Sequence, residues 1–267
     1  MVNSAKKTFL EMSLARVAFC ELRKITRPRT LCNQADRNPK LESQYQRKLE
    51  VSQLSFSQLV ACFCLASVET LRDPARADLV AAVGEISSDR AQRRLYNRMC
   101  GNEGGKLLLL ERRRVTNETL EVARSHKFGT FGHAYAQFMD TRGFQPDYRP
   151  IVRFSNQDPW NYTLVRLREI HDYLHVLFEC PTSVEGEIIL KAIEFTNCKL
   201  PISGLGALIG SIQLPVKNQQ RLRHIIFPWA VQAGLKCRPL ESIDYESHFH
   251  LSLQQVRQLY GINKVPR

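Results

Sequence analysis

The stretch DPWNYTLVRLREIHDYLHVLFECPTSVEGEIILKAIEF, residues 158–195, decides the fold. Asp158-Pro159 is a helix start, with Asp as cap and Pro in the first turn, where its missing N–H costs nothing. Tyr162, Leu164, Val165, Leu167, Ile170, Leu174, Leu177 and Phe178 then recur at helical spacing up to Pro181. Thr182 or Ser183 caps a second helix carrying Ile188, Ile189, Ala192, Ile193 and Phe195. So short a connection packs the two helices antiparallel.

Outward from this pair the chain reads as helix after helix. Residues 51–71 carry an apolar stripe. Pro74 opens a helix behind Asp73 that runs to Gly84. Ser88–Cys100 is a basic helix stopped by Gly101. Lys106–Leu110 reads equally as a short extended piece or a helical turn. Thr130–Met139 is predicted helical, and residues 144–157, with Pro146 and Pro150, a loop. Residues 199–217 are apolar and interrupted by Gly and Pro. Asn218–Ala233 is a helix that Pro228 should bend, and Phe249–Tyr260 is the last, stopped by Gly261. No alternating strand pairs and no internal repeat occur. The expected fold is all-α: a single multi-helix domain over residues 51–267 behind an N-terminal extension, residues 1–50.

The formal net charge of +12 is unevenly placed. Residues 1–50 hold eleven Lys/Arg against five Asp/Glu, and residues 89–114 hold eight against three. The remainder is close to neutral, which argues against nucleic acid as a partner. The basic leader has the look of an organelle transit peptide or a disordered tail. Arg90, Arg93, Arg94, Arg98 and Arg112–Arg114 form a basic patch that reads either as a solvated face or as a site for anionic lipid headgroups. The eight cysteines lack paired spacing and read as reduced thiols. Cys62 and Cys64 would point about 200° apart on a helix, so they make a poor metal site. The uncharged stretches Val51–Val68 and Leu200–Val216 are broken by Ser and Gln or by Pro and Gly, so membrane contact is expected to be peripheral.

The chemistry sits in His171-Asp172-Tyr173-Leu174-His175. Imidazoles at i and i+4 share a helix face, and Asp172 lies 100° from His171 and 60° from His175, so all three can reach one point. Imidazole plus carboxylate suits Zn²⁺ or another divalent first-row metal. Glu187, on the antiparallel helix, is the expected fourth ligand, with Glu185 its competitor on the other side of that helix. No glutamate base stands between the histidines, which disfavours a zincin peptidase. A phosphohydrolase of HD type lacks an evident second downstream Asp.

The segment His171 to Glu187 resembles the HDxxH(x11)E signature of a ubiquinone (coenzyme Q) biosynthesis family, the fourth member of the eukaryotic Coq set. The resemblance covers residues 52–262. It includes Arg72-Asp73-Pro74, Ala82-Val83-Gly84-Glu85, Gly129-Thr130-Phe131-Gly132, Arg153-Phe154, Arg166 to Ile170, Trp229-Ala230 and Tyr245-Glu246. It implies metal ligands at His171, Asp172, His175 and Glu187. It also implies peripheral attachment to the matrix face of the inner mitochondrial membrane, with residues 1–50 as transit peptide. Expected partners are other ubiquinone-biosynthesis enzymes in a multiprotein complex and a polyprenylated aromatic substrate, and a homodimer is among the assemblies open to it. The implied activity is C1-decarboxylation of 4-hydroxy-3-methoxy-5-polyprenylbenzoate, with Asp172 as ligand or proton shuttle. The alternative is a non-catalytic lipid-binding scaffold with a structural zinc. Leu200–Val216 and Ile225–Leu235 are the candidate walls of an isoprenoid groove, or plain core.

Overall fold

In the computed structural model the described residues are 63–69, 83–84, 89–149 and 158–266. The chain divides into two compact units, one of Met1–Ser87 with Pro150–Gln157, the other of Ser88–Arg149 with Asp158–Arg267. In the first unit residues 63–69 are helical, as are 83–84. The leader, the boundary expected at residue 50, Cys62 and the Asp73-Pro74 helix start lie outside the described residues.

The second unit is all-α. Its helices are α1 (Asp89–Cys100), α2 (Glu103–Glu111), α3 (Asn117–Arg124), α4 (Phe131–Arg142), α5 (Asp158–Phe178), α6 (Val184–Cys198), α7 (Pro201–Gln213), α8 (Val216–Arg221), α9 (Phe227–Lys236) and α10 (Leu253–Tyr260). Among the described residues there is no strand, and a single β-bridge joins Thr130 to Ser252. Lys106–Leu110 resolves as helix: Asn102 caps α2 by accepting from the Gly105 N–H at 2.7 Å. The last helix begins at Leu253 because Ser252 and Gln255 form a capping box there.

α5 is the axis. It buries Leu164, Leu167, Ile170, Tyr173, Leu174, Leu177 and Phe178 against its neighbours. Tyr173 meets Phe131 and Tyr135 of α4 and Phe249 of the C-terminal segment edge to face, and Tyr245 at a tilt, in one aromatic cluster. Arg166, wholly buried on α5, gives its guanidinium to both oxygens of Glu246 at 2.7 and 2.8 Å. α6 packs against α7 on one side and α9 on the other.

The C-terminal helical run that holds Pro228 changes its turn just before the proline. Residues Leu222–Ile226 form a π-turn between α8 and α9, in which the Phe227 N–H reaches the Leu222 carbonyl. Pro228 has no N–H, and its ring would crowd the carbonyl four residues back, so one widened turn precedes it.

α7 is inside out relative to an ordinary surface helix. Its buried residues are the small Ser203, Ala207 and Ser211, whereas Leu205, Leu208 and Ile212 are exposed, Ile212 at 64%. The basic patch is largely engaged within the chain. Arg98 binds Glu241 at 2.6 Å, Arg113 binds Asp244 at 2.6 Å, and Arg114 binds Glu169 at 2.6 Å. Arg94 donates to the Lys199 carbonyl at 2.9 Å, and Arg93 lies 4.1 Å over the Trp160 ring. These pairings favour a structural reading of the patch over a headgroup site.

Candidate metal centre

The last two turns of α5 and the first turn of α6 build the centre. α5 ends with Glu179 in the left-handed region, at φ 56°, and the Cys180 N–H closing back on the His175 carbonyl at 3.0 Å. This Schellman-type closure satisfies a terminal carbonyl and turns the Cys180 carbonyl inward. The Cys180 carbonyl then stands 3.0 Å from His175 Nδ1. A carbonyl only accepts, so Nδ1 carries the proton and Nε2 presents its lone pair. Phe138 stacks on the His175 ring at 5.5 Å and holds its plane.

Ser183 caps α6 through the Gly186 N–H. A side chain at Gly186 would meet the Pro181 carbonyl oxygen at 1.9 Å, so only glycine lets this turn close over the proline. The turn brings Glu187 across from the histidines. Its Oε1 is 2.9 Å from His175 Nε2 and its Oε2 is 3.3 Å from His171 Nε2. The two Nε2 atoms are 3.2 Å apart.

The third control is a residue that the sequence reading did not single out. Glu194, buried two turns further along α6, approaches His171 Nδ1 with Oε1 at 2.6 Å. Its Oε2 accepts from Lys191 Nζ at 2.8 Å and from Ser203 Oγ of α7 at 3.0 Å. A signal for it existed: Glu187, Lys191 and Glu194 stand at i, i+4 and i+7, one helix face.

His171, His175 and Glu187 therefore offer three ligand atoms to one point. In tetrahedral zinc geometry, bonds of about 2.0–2.1 Å place ligand atoms about 3.3 Å apart, close to the spacings here. With both Nδ1 atoms protonated, the neutral rings aim two lone pairs and a carboxylate at each other with no donor among them. Only a shared cation or a proton relieves that. Burial and the Lys191 ammonium oppose a proton on His171, but Glu194 and Glu187 outweigh them and push its pKa up to about 9. Burial works against ionised Glu187 as well, yet its pairing with His171 and His175 holds it far below the usual carboxylate range. Glu194 is likewise held low against burial by Lys191 and His171. Burial, with Glu187 and Glu194 nearby, raises the Cys180 thiol to about 12, so it stays a neutral wall. The residues fit a borderline divalent ion. The centre is open on one side, because the Glu187 side chain is 41% exposed against 1% for His175.

Two predicted participants stand apart. Asp172, expected to share the ion, is paired with Arg149, which also donates to the Pro146 carbonyl at 3.2 Å. The 3₁₀ turn Pro146–Tyr148 delivers that arginine to the side of α5 that Asp172 faces, and such a long-range pairing has no local sequence signal. Glu185 turns to Arg221 at 2.8 Å, away from the histidines.

Residues 45–266 match the model of the family described as "Coenzyme Q (ubiquinone) biosynthesis protein Coq4". A Bos taurus protein named "Ubiquinone biosynthesis protein COQ4 homolog, mitochondrial" is 37% identical over 198 residues, covering 73% of this chain and 75% of that protein. A Meyerozyma guilliermondii protein named "Ubiquinone biosynthesis protein COQ4, mitochondrial" is 35% identical over 204 residues, covering 75% of this chain and 65% of its own length. A crystal structure from Nostoc punctiforme, of a protein also named for ubiquinone biosynthesis, superposes with a TM-score of 0.60 at 21% identity. It covers 74% of this chain and 96% of that one, and at this identity the likeness is one of fold.

Proposed function

The chain belongs to the Coq4 family of coenzyme Q (ubiquinone) biosynthesis proteins, and from that premise we propose that His171, His175 and Glu187 bind a divalent first-row ion, zinc foremost, at a catalytic centre of this pathway. The reaction is C1-decarboxylation of 4-hydroxy-3-methoxy-5-polyprenylbenzoate. The observation that carries the reading is the convergence of two imidazole Nε2 atoms and a carboxylate at one point with an open side. Three protein ligands with an open position are the arrangement of catalytic rather than structural zinc. When bound, the ion would supply a Lewis acid that polarises the phenolate or carboxylate oxygen.

Decarboxylation adds a proton to ring carbon C1 and releases CO₂, with the electrons of the broken C–C bond returning to the ring. The chain must therefore hold a proton near that carbon. Asp172, adjacent to His171 and held by Arg149, takes the role of proton shuttle. A fourth-ligand role for it is the competing assignment. Asp172→Asn at full metal content separates the two: normal CO₂ release would remove the shuttle.

The exposed stripe Leu205, Leu208, Ile212 and Val216, with Ile225 and Leu235 beyond it, supports contact with lipid. Lys217, Arg221 and Arg223 accompany it. No described helix is long and apolar enough to cross a membrane. We place the protein peripherally on the matrix side of the inner mitochondrial membrane, with other ubiquinone-biosynthesis enzymes in a complex. The same stripe favours a second reading, a non-catalytic lipid-binding scaffold whose zinc is structural. Metal-dependent release of CO₂ from a short-tailed 4-hydroxy-3-methoxy-5-prenylbenzoate decides between them. Release supports the lyase, and a metal-loaded protein without turnover supports the scaffold.

A further inference from the structure

Glu194 does something that a helix-packing residue need not do. A buried carboxylate requires partners, and Lys191 and Ser203 already supply two donors to Oε2. Its other oxygen is nevertheless committed to His171 Nδ1, at 2.6 Å. The three partners come from three helices: His171 from α5, Lys191 from α6 and Ser203 from α7. The carboxylate is thus fixed from both ends. The two ring ligands are also treated differently. His175 Nδ1 faces a neutral backbone carbonyl, whereas His171 Nδ1 faces an ionised side chain. A carboxylate behind an imidazole fixes its tautomer and makes its far nitrogen a stronger donor.

Building on the reading of a metal centre at His171, His175 and Glu187, we propose that Glu194 is its positioning residue: Oε1 fixes His171 as the Nδ1–H tautomer and aims Nε2 at the ion, while Lys191 and Ser203 lock Oε2. Ser203 makes the docking of α7 part of the same support, since its hydroxyl comes from the first turn of that helix. Lys191, 34% exposed at the side chain, balances the charge of Glu194 without touching the ion's side of the ring.

The test uses the full-length chain with Zn²⁺ and Co²⁺ as probes. Glu194→Gln keeps the shape but sets an amide donor against the Lys191 ammonium, so Glu194→Gln/Lys191→Met is prepared alongside it to remove that conflict. Zn²⁺ affinity is read by competition with a chromophoric chelator, and ligand-field geometry by the visible absorption of the Co²⁺ form. Both variants should remain folded yet bind Zn²⁺ about 10–100-fold more weakly, the usual effect of removing such a partner, with a shifted Co²⁺ band. Ser203→Ala should fall between wild type and these. Wild-type affinity and an unshifted Co²⁺ band in the double variant would overturn the role of Glu194 while leaving the centre intact. A wild-type chain that takes up neither ion would instead overturn the metal centre and, with it, this inference.

Discussion

α5 carries two buried polar assemblies less than two turns apart, and they differ in one respect that separates structure from chemistry. At Arg166 the chain supplies its own cation. The guanidinium meets both oxygens of Glu246 and the Ile243 carbonyl, with Tyr173 donating to the same carboxylate at 3.2 Å. At His171 and His175 the chain gathers two ring nitrogens and the Glu187 carboxylate, converging at about the spacing a metal ion imposes. The first assembly neutralises its own charge and ties α5 to the C-terminal segment. The second gathers two imidazole nitrogens and a carboxylate at one point, a donor set that suits a borderline divalent ion.

The contrast can be broken most severely at Arg166. Arg166→Met leaves the half-buried Glu246 carboxylate without its cation, with the Tyr173 hydroxyl beside it, and should cost about 3–5 kcal/mol, read from the denaturant midpoint, with metal content per folded chain unchanged. Loss of the ion without loss of stability would reverse the roles of the two assemblies. Next in size is the effect of the ion itself. At a free concentration 100-fold above its dissociation constant, zinc should add about 2.7 kcal/mol to the wild type and close to nothing to Glu187→Gln. Thermal shifts with and without chelator measure this.

The pH dependence sharpens the contrast further. In the metal-free chain His171 has its pKa raised from 6.5 to about 9. A raised pKa means that the folded state binds a proton the unfolded state has lost. That contribution is full below about 6.5 and disappears as pH rises through about 9. Glu187 and Glu194, held low, work in the opposite sense and lose their contribution as pH falls below the ordinary glutamate range. Metal-free protein should therefore be most stable between roughly pH 4.5 and 6.5 as far as these groups decide it. The stabilisation by added zinc should grow above that window, because the ion displaces the proton. A zinc effect that falls with rising pH would contradict the shared site. The smallest expected effect is at Ser183: removing the cap with Ser183→Ala should cost about 1 kcal/mol and loosen the turn that presents Glu187.

These residues also mark what was legible beforehand. His171, His175 and Glu187 were readable because their relation is local: one helical face, one short turn and one antiparallel partner. The all-α class followed from the same periodicity. Glu194 was readable in principle, being on the face of Glu187, but a lone acid seven residues on carries no motif. The Cys180 carbonyl was hidden because a backbone cap, not a side chain, does that work. The Asp172–Arg149 pair depends on how a 3₁₀ turn folds over α5, which no spacing encodes. The outward-facing leucines of α7 were hidden for a related reason. Apolar residues are assigned to the interior by default, and only the packing of Ser203, Ala207 and Ser211 on α6 reverses the helix.

The most direct measurement is the metal content of the full-length chain, by elemental analysis after dialysis against trace zinc, for wild type and His171→Ala. The expected result is one ion per wild-type chain and its loss in the variant, with both proteins folded. A folded wild type without bound metal, or a variant that retains it, would contradict the centre.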